Sequence, residues 1–231
     1  GNVINTWNTG ALECEILDTD EYPNPTKAIL KPEVKTKAYF AFGEVGFDSL
    51  YIDEAGGPYY LRFTAMGFGD VQLPGGTFTD IPEITIYVGS PYMMEVLDDA
   101  SVNAFGGSAF SQQPRLRIAD AGSNTVVDDS SSLVVATLTQ NPTLTTFNSA
   151  DHAYQVAEFG LVTFTNLGIK ATGKQYQVTY TLFSYSSSTQ KHTETSVKAV
   201  SAKIDVTPGP AARLGVITFP SEAIAGGSAF G

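Results

Sequence analysis

Two blocks of this sequence occur twice in the same order, with a spacing of nearly 120 residues. Residues 106–110, Gly-Gly-Ser-Ala-Phe, recur as residues 226–230. Seven residues between positions 43 and 59 recur without a gap 117 positions later, between 160 and 176. A spacing of this length exceeds the roughly 20 to 50 residues of a solenoid repeat and is typical of whole domains with separate cores. The chain is therefore predicted to be a tandem array of domains.

The repeat predicts three segments. Residues 1–89 form a first unit that lacks its opening strands, residues 90–208 form one complete unit, and residues 209–231 supply the opening strand of a further unit. Pro and Gly near 89–91 and 208–210 suit short, stiff linkers. About a dozen residues of the period are missing between the end of the third segment and the start of the first. This gap favours an excerpt of a longer array over a self-sufficient subunit.

Composition excludes several classes of protein. The 231 residues are 42% hydrophobic, with 14 Phe and 11 Tyr, which is sufficient for hydrophobic cores. A net charge of −11 argues against nucleic-acid binding, which requires clustered Lys and Arg. No apolar run approaches the ~18 residues that a membrane span requires. The single cysteine, Cys14, excludes an intrachain disulfide and is interpreted as a core residue or, alternatively, as an interchain disulfide partner.

Alternating apolar and polar residues predict strands throughout the chain. A period of two indicates a strand with one buried face, and no segment shows a convincing helical period. The predicted strands include residues 45–52, 59–65, 84–88, 115–118, 133–139, 162–169 and 176–182. About seven strands in each period of about 120 residues predict an all-β, two-sheet sandwich.

Two tyrosines carry a more specific signal. Tyr59 and Tyr176 each follow a Gly-containing turn and open a strand. This arrangement resembles the tyrosine corner of immunoglobulin-like domains, in which the phenol hydroxyl bonds to the backbone across the turn. Antibody domains place a cysteine two residues further on, where this chain has Leu61 and Val178. Aliphatic packing is therefore expected in place of the disulfide.

A longer pattern in the complete unit carries a resemblance to a known family. The Gly-rich residues 106–110 precede a Gln-Pro pair, alternating apolar residues and the turn Asp-Ala-Gly-Ser-Asn at 120–124. The sequence resembles the Ig-like repeats of very large surface and secreted proteins of bacteria and some protists. The resemblance implies tandem immunoglobulin-like β-sandwich domains with Greek-key connections, strung into extracellular stalks, shafts and fibres. It implies no active site, and the first unit lacks the early part of the pattern.

Residues that could support catalysis are sparse. The only histidines, His152 and His192, lie in polar stretches, away from any nucleophile or metalloprotease motif. No phosphate-binding glycine loop precedes a Lys-Ser or Lys-Thr pair. We therefore expect a protein that is not an enzyme and has neither catalytic residues nor an organic cofactor.

Acidic residues supply the only candidate metal ligands. Asp18 and Asp20 alternate in a way that suits calcium, which takes six to eight oxygen ligands, and Asp98 could join them between two domains. The EF-hand pattern is not matched. Solvated turn carboxylates are the alternative interpretation.

Aromatic residues give a second candidate site. Trp7, Tyr22, Tyr51 and Tyr60 could form a platform for a glycan, although aromatic residues in strands more often pack in the core. An adhesin or carbohydrate-binding module is therefore the alternative function.

The favoured function is a structural repeat of an extracellular filament, stalk or surface fibre. Residues 212–219 are expected to add as a strand to the exposed sheet edge of a first unit, in another copy or in the same polypeptide. Such an assembly is open and head-to-tail. Burial of the apolar side chains of this strand would stabilise the assembly by roughly 1.5–3 kcal/mol for each side chain. The proposed assembly residues are Leu214, Val216, Ile217 and Phe219.

Overall fold

A computed structural model describes residues 10–31, 36–67 and 78–211 of the chain. In this part, strands account for nearly all regular structure, and the only helical element is a 3-10 turn at Ala150–His152. The strands are β1 (Ala11–Ile16), β2 (Leu30–Lys31), β3 (Thr36–Tyr39), β4 (Tyr51–Ile52), β5 (Gly56–Met66), β6 (Phe78–Ile86), β7 (Met93–Asp98), β8 (Asn103–Phe105), β9 (Arg115–Ala119), β10 (Leu133–Gln140), β11 (Tyr154–Val156), β12 (Leu161–Thr163), β13 (Gly173–Ser186), β14 (Lys191–Val200) and β15 (Ile204–Thr207). The all-β prediction is confirmed.

Strands β1 to β6 form the first half of the chain. Four of them make an antiparallel sheet in the order β3-β1-β5-β6, in which Cys14 lies between Thr36 and Phe63. The short strands β2 and β4 pair separately, with Leu30 opposite Ile52. The alternating residues of β5 place Tyr59 and Leu61 on the buried face.

Strands β7 to β15 form the second half. One sheet has the order β11-β10-β13-β15-β8, with β14 also paired to β13, and a smaller sheet has the order β12-β9-β7. Strands β15 and β8 run parallel, whereas the other pairs are antiparallel. Buried residues from both sheets contribute to one cluster, an arrangement consistent with a β-sandwich.

In the part of the chain that the structure describes, the buried apolar side chains form two separate clusters. The cluster of the first half is built on Cys14, Leu30 and Leu61, with partly buried aliphatic and aromatic residues around it. The cluster of the second half is larger and contains residues between Met94 and Val206. Each half therefore buries its own set of apolar residues.

Two predicted strands are largely wrong. Of residues 45–52 only Tyr51–Ile52 is a strand, and of residues 162–169 only the beginning belongs to β12. The backbone turns at Ser49 (φ 63°) and at Asn166 (φ 56°), a left-handed conformation that interrupts an extended chain. The apolar residues Leu167 and Ile169 are nevertheless fully buried. The alternation of apolar and polar residues here arises because a turn, and not a strand, places every second side chain in the core.

No helix in the described ranges is long and apolar enough to cross a membrane.

Candidate functional site

The hydroxyl group of Tyr59 ties two loops of the first half together. Its ring is fully buried, and the hydroxyl donates to the carbonyl oxygen of Glu54 at 3.1 Å. The Thr26 hydroxyl lies 2.7 Å away and donates to the tyrosine, because a phenol has only one proton to give. The residues 53–55 are thereby held against the core, as the tyrosine-corner motif predicts.

Tyr176 makes the same contacts in the second half. Its buried hydroxyl donates to the carbonyl oxygen of Ala171 at 3.1 Å and lies 2.5 Å from the hydroxyl of Thr143. Each of these residues stands 117 positions after its counterpart in the first half. Residues 170–172 are thus held in the same way as residues 53–55.

The threonines belong to Asn-Pro-Thr turns that are also the same in both halves. Asn24 accepts from the Ala28 N–H at 2.9 Å and donates to the Ala28 carbonyl at 2.8 Å. Asn141 makes the corresponding pair of bonds with Thr145, at 2.9 and 2.7 Å. These side chains replace backbone partners in each turn and fix the threonine beneath the tyrosine.

The Asp120 carboxylate organises the turn at residues 120–124. One oxygen accepts from the N–H groups of Gly122 and Asn124 at 2.9 and 2.8 Å, and the other accepts from the Gly89 N–H at 2.7 Å. Burial raises the pKa of Asp120, but these bonds and that from the Asn124 side chain outweigh it and lower the pKa below its usual value. Asp120 therefore joins the turn to the segment that links the two halves.

The Asn124 side chain connects the turn to the first half. Its Oδ1 accepts from the Ala55 N–H at 2.8 Å, and its Nδ2 donates to the Asp53 carbonyl at 2.7 Å. The same Nδ2 atom also donates to the Asp120 carboxylate, whose two oxygens lie 3.0 and 3.1 Å from it. Both N–H groups of the amide donate and its oxygen accepts one bond, so that the amide pairs with the backbone as a neighbouring strand would. We call this contact the Asn124 joint.

Gly122 permits the close approach in the Asn124 joint. A Cβ atom at this position would lie 2.1 Å from the Asp53 carbonyl oxygen and 2.7 Å from Asn124 Nδ2. Neither neighbour can move without breaking the joint. Any side chain at position 122 would therefore separate the two halves here.

A cleft of about 380 Å³ borders the Asn124 joint. Three of its tyrosines are exposed, namely Tyr51 (55%), Tyr87 (84%) and Tyr92 (65%). The carboxylates of Asp53 and Asp120 belong to the same lining. Exposed aromatic faces next to polar groups are features that a sugar ring can use.

The predicted calcium ligands have other partners or are dispersed. Asp18 pairs with Lys27 at 2.8 Å, and this hydrogen bond is the main cause of its lowered pKa. Asp98 lies 3.5 Å from Arg115, and Asp20 is exposed. No group of three or more His, Cys, Asp or Glu residues suited to a metal occurs in residues 10–31, 36–67 and 78–211. Calcium binding stays a prediction.

The predicted glycan platform is divided. The Tyr22 and Tyr60 rings pack edge to face, with centroids 5.1 Å apart and planes at 64°. Tyr51 instead lies in the cleft beside the Asn124 joint, and Trp7 is outside the described residues. The structure therefore brings together only part of this set.

Other predicted residues have different outcomes. Cys14 is fully buried in the first cluster, as the core interpretation expects. The assembly residues Leu214, Val216, Ile217 and Phe219 lie outside the described residues. The His192 Nε2 atom lies 2.9 Å from the Ser131 carbonyl oxygen, and His152 ends the 3-10 turn.

Sequence reasoning identified the Asp-Ala-Gly-Ser-Asn turn but not its contact with residues 53–55. It also missed the four turn residues Asn24, Thr26, Asn141 and Thr143. A signal for these residues was present, because both Asn-Pro-Thr triplets share the spacing of 117 found in the rest of the repeat. The contacts of Asn124, 69 and 71 positions away in sequence, have no comparable signal.

No model of a known protein family matches this chain, and a comparison with curated proteins also found no match.

Proposed function

We propose that the chain is a structural part of an extracellular filament, stalk or surface fibre, built from immunoglobulin-like β-sandwich units in tandem. In this proposal, β1 to β6 belong to one unit and β7 to β15 to the next. The Asn124 joint sets the angle between successive units, and strand contacts from residues 212–219 extend the assembly. The observation that carries the proposal is that Asn124 pairs with the backbone of residues 53–55.

The recurrence of hydrogen bonds supports the division into units. Tyr59 and Tyr176, with their threonine and carbonyl partners, repeat one arrangement at a spacing of 117 residues. The two hydrophobic clusters also contain no common residue. Separate cores with a shared local design are expected of tandem domains.

The form of the contact supports a mechanical role. A short linker alone would allow the two units to rotate, because inter-domain motion is the default unless the interface restrains it. Here Asp120 binds the linker residue Gly89, and Asn124 binds the preceding unit. Two anchor points on a single turn restrain rotation, which suits a stalk or fibre that must keep its direction.

Electron microscopy of the native material tests the proposed function. Gold-labelled antibodies against this chain should decorate extended structures outside the cell, at regular intervals along their length. Label on compact particles or inside the cell would contradict the proposal. Antibodies absorbed with the purified chain provide the control.

A carbohydrate-binding module is a second candidate, favoured by the cleft that exposes Tyr51, Tyr87 and Tyr92. Sugar rings stack on aromatic faces, and the nearby carboxylates can accept hydroxyl hydrogen bonds. NMR titration with a panel of plant, algal and bacterial oligosaccharides would shift signals of these tyrosines. The triple variant with all three replaced by Ala should lose the response. A wild-type chain that shows no shift with any of the sugars would remove this candidate.

A further inference from the structure

Residues 170–172 present the same backbone groups as residues 53–55. In each case the central carbonyl, of Glu54 or of Ala171, accepts from a buried tyrosine hydroxyl at 3.1 Å. The groups that flank it are the carbonyl of the first residue and the N–H of the third. Residues 53–55 use these flanking groups to bind Asn124.

Among the described residues, the corresponding flanking groups of the second half have no hydrogen-bond partner. No hydrogen bond in the described part of the chain involves the Lys170 carbonyl or the Thr172 N–H. Lys170 and Thr172 are both exposed, whereas Asp53 and Ala55 are half-buried beneath the turn. An acceptor and a donor two residues apart are thus available to a planar amide.

Gly106, a residue without a side chain, lies beside this backbone pair. A Cβ atom on Gly106 would lie 3.2 Å from the Lys170 carbonyl oxygen and 3.5 Å from the Thr172 nitrogen. Larger side chains at position 106 would extend over both groups. Glycine leaves them accessible.

Gly209, in the linker after the second half, supplies a corresponding N–H group. Gly209 stands 120 positions after Gly89, whose N–H donates to the Asp120 carboxylate. Within residues 10–31, 36–67 and 78–211, the Gly209 N–H takes part in no hydrogen bond. One Asp-Ala-Gly-x-Asn turn would satisfy all three groups, with its Asp on Gly209 and its Asn on Lys170 and Thr172.

We propose that Lys170, Thr172 and Gly209 form a socket for the Asp-Ala-Gly-x-Asn turn of a further β-sandwich unit that continues the array. The inference rests on the proposed tandem organisation. Recognition requires the carboxylate, the amide and, between them, a glycine that allows the close approach seen at Gly122. The second half thereby holds its successor in the same way that the first half holds the second.

A chain extended by one unit tests the socket. A second copy of residues 112–208 is appended to the full chain, because residue 231 corresponds to residue 111 in the repeat. Amide hydrogen exchange followed by NMR compares the extended chain with the original. We expect exchange at Thr172 and Gly209 to slow by about tenfold or more in the extended chain.

A matched variant distinguishes binding of the added turn to the socket from mere proximity of the added unit. Replacing the added copy of Asn124 by Ala should restore fast exchange at Thr172 while the added unit stays folded. The same substitution at the native Asn124 should instead release the Ala55 amide and leave Thr172 protected.

The outcomes distinguish the two proposals. Equal exchange at Thr172 and Gly209 with and without the extension, while Ala55 stays protected, would overturn the socket and leave the proposed function standing. An added unit that fails to fold counts against the socket as well, because the socket is proposed to hold a folded unit. Fast exchange of Ala55 in the original chain would contradict the proposed function itself.

Discussion

The hydroxyl oxygens of Tyr176 and Thr143 lie 2.5 Å apart, in a partly buried contact between residues 33 positions apart in the sequence. Tyr59 and Thr26 repeat this contact at 2.7 Å in the first half. In both places the tyrosine hydroxyl also donates to a backbone carbonyl five residues before it. Each half of the chain thus uses one phenol hydroxyl to hold two loops together.

Replacing Tyr176 by Phe removes these bonds and leaves the Thr143 hydroxyl and the Ala171 carbonyl without their partner. We expect the free energy of unfolding to fall by about 0.5–1.5 kcal/mol for each hydrogen bond lost, the usual net contribution of such a bond. Denaturant unfolding followed by tyrosine fluorescence and far-UV circular dichroism measures the change.

Tyr180 provides the matched control. It is also fully buried, but its hydroxyl has no hydrogen-bond partner in the described part of the chain. Tyr180→Phe should therefore be neutral or stabilising. Equal losses of stability in the two variants would show that ring packing, and not the hydrogen bonds, accounts for the effect.

These tyrosines show how far the sequence alone could lead. Alternation correctly predicted the extended segment around Tyr176 and the burial of Val178, because one-sided burial imposes a period of two. The position of Tyr176 after a glycine turn also correctly indicated a hydroxyl bond to the backbone. Thr143 was missed, because periodicity describes which face is buried and not which distant loop covers it.

The Asn124 joint could be predicted only in part. The composition of residues 120–124 identified a turn, since Asp, Gly and Asn favour such conformations. Its contact with Asp53 depends on how the two halves meet, which local sequence does not encode. The apolar pattern at Leu167 and Ile169 was misread as a strand for a related reason, since a turn can bury alternate residues as well.

Cys14 should be unreactive in the folded protein. Burial, with a smaller contribution from the charge of Glu15, raises the pKa of its thiol to about 11, so that little thiolate exists at neutral pH. We expect reaction with a thiol reagent at pH 8 to be limited by unfolding and to become fast in denaturant. The pKa of Cys14 is higher in the folded than in the unfolded chain, so its thiol contributes its full stability below the unfolded pKa of about 8.5. This contribution is lost as the pH rises through the folded-state pKa.

Rapid labelling of the native chain would contradict this account of Cys14. A covalent dimer on a non-reducing gel would do the same and would support the alternative of an interchain disulfide. Cys14→Ala is the control for reaction elsewhere.

Asp120 should make the Asn124 joint sensitive to acid. Its pKa is lowered in the folded chain, so its contribution to stability is full above the unfolded value of about 3.9 and is lost as the pH falls through the lower, folded value. We expect the loss of stability between about pH 5 and pH 2 to be smaller in Asp120→Asn than in the wild type.

The exposed residue Asp151, on the 3-10 turn, provides the comparison for this acid titration. Asp151→Asn removes one surface carboxylate and is the control for the change in net charge that Asp120→Asn also makes. Identical acid profiles for the wild type and Asp120→Asn would show that the carboxylate does not hold the turn.

Fixed orientation of the two halves is the central claim, and a distance measurement between them tests it most directly. Nitroxide labels are placed at the exposed Tyr39 and Val156, which are 117 positions apart on β3 and β11. Both positions are changed to Cys, and the native Cys14 is replaced by Ala so that only these two positions are labelled. Ala suits this position because Cys14 pairs with Phe63 as the buried Ala136 on β10 pairs with Tyr180, 117 positions after Phe63. Pulsed electron–electron resonance then gives the distribution of distances.

We predict a single narrow distribution for this labelled chain and a clearly broader one when Asn124→Ala is added. Asn103→Ala, at an exposed position on β8, should leave the width unchanged. A distribution that is already broad with Asn124 intact, or one whose width is the same with and without its side chain, would contradict a joint that fixes successive units.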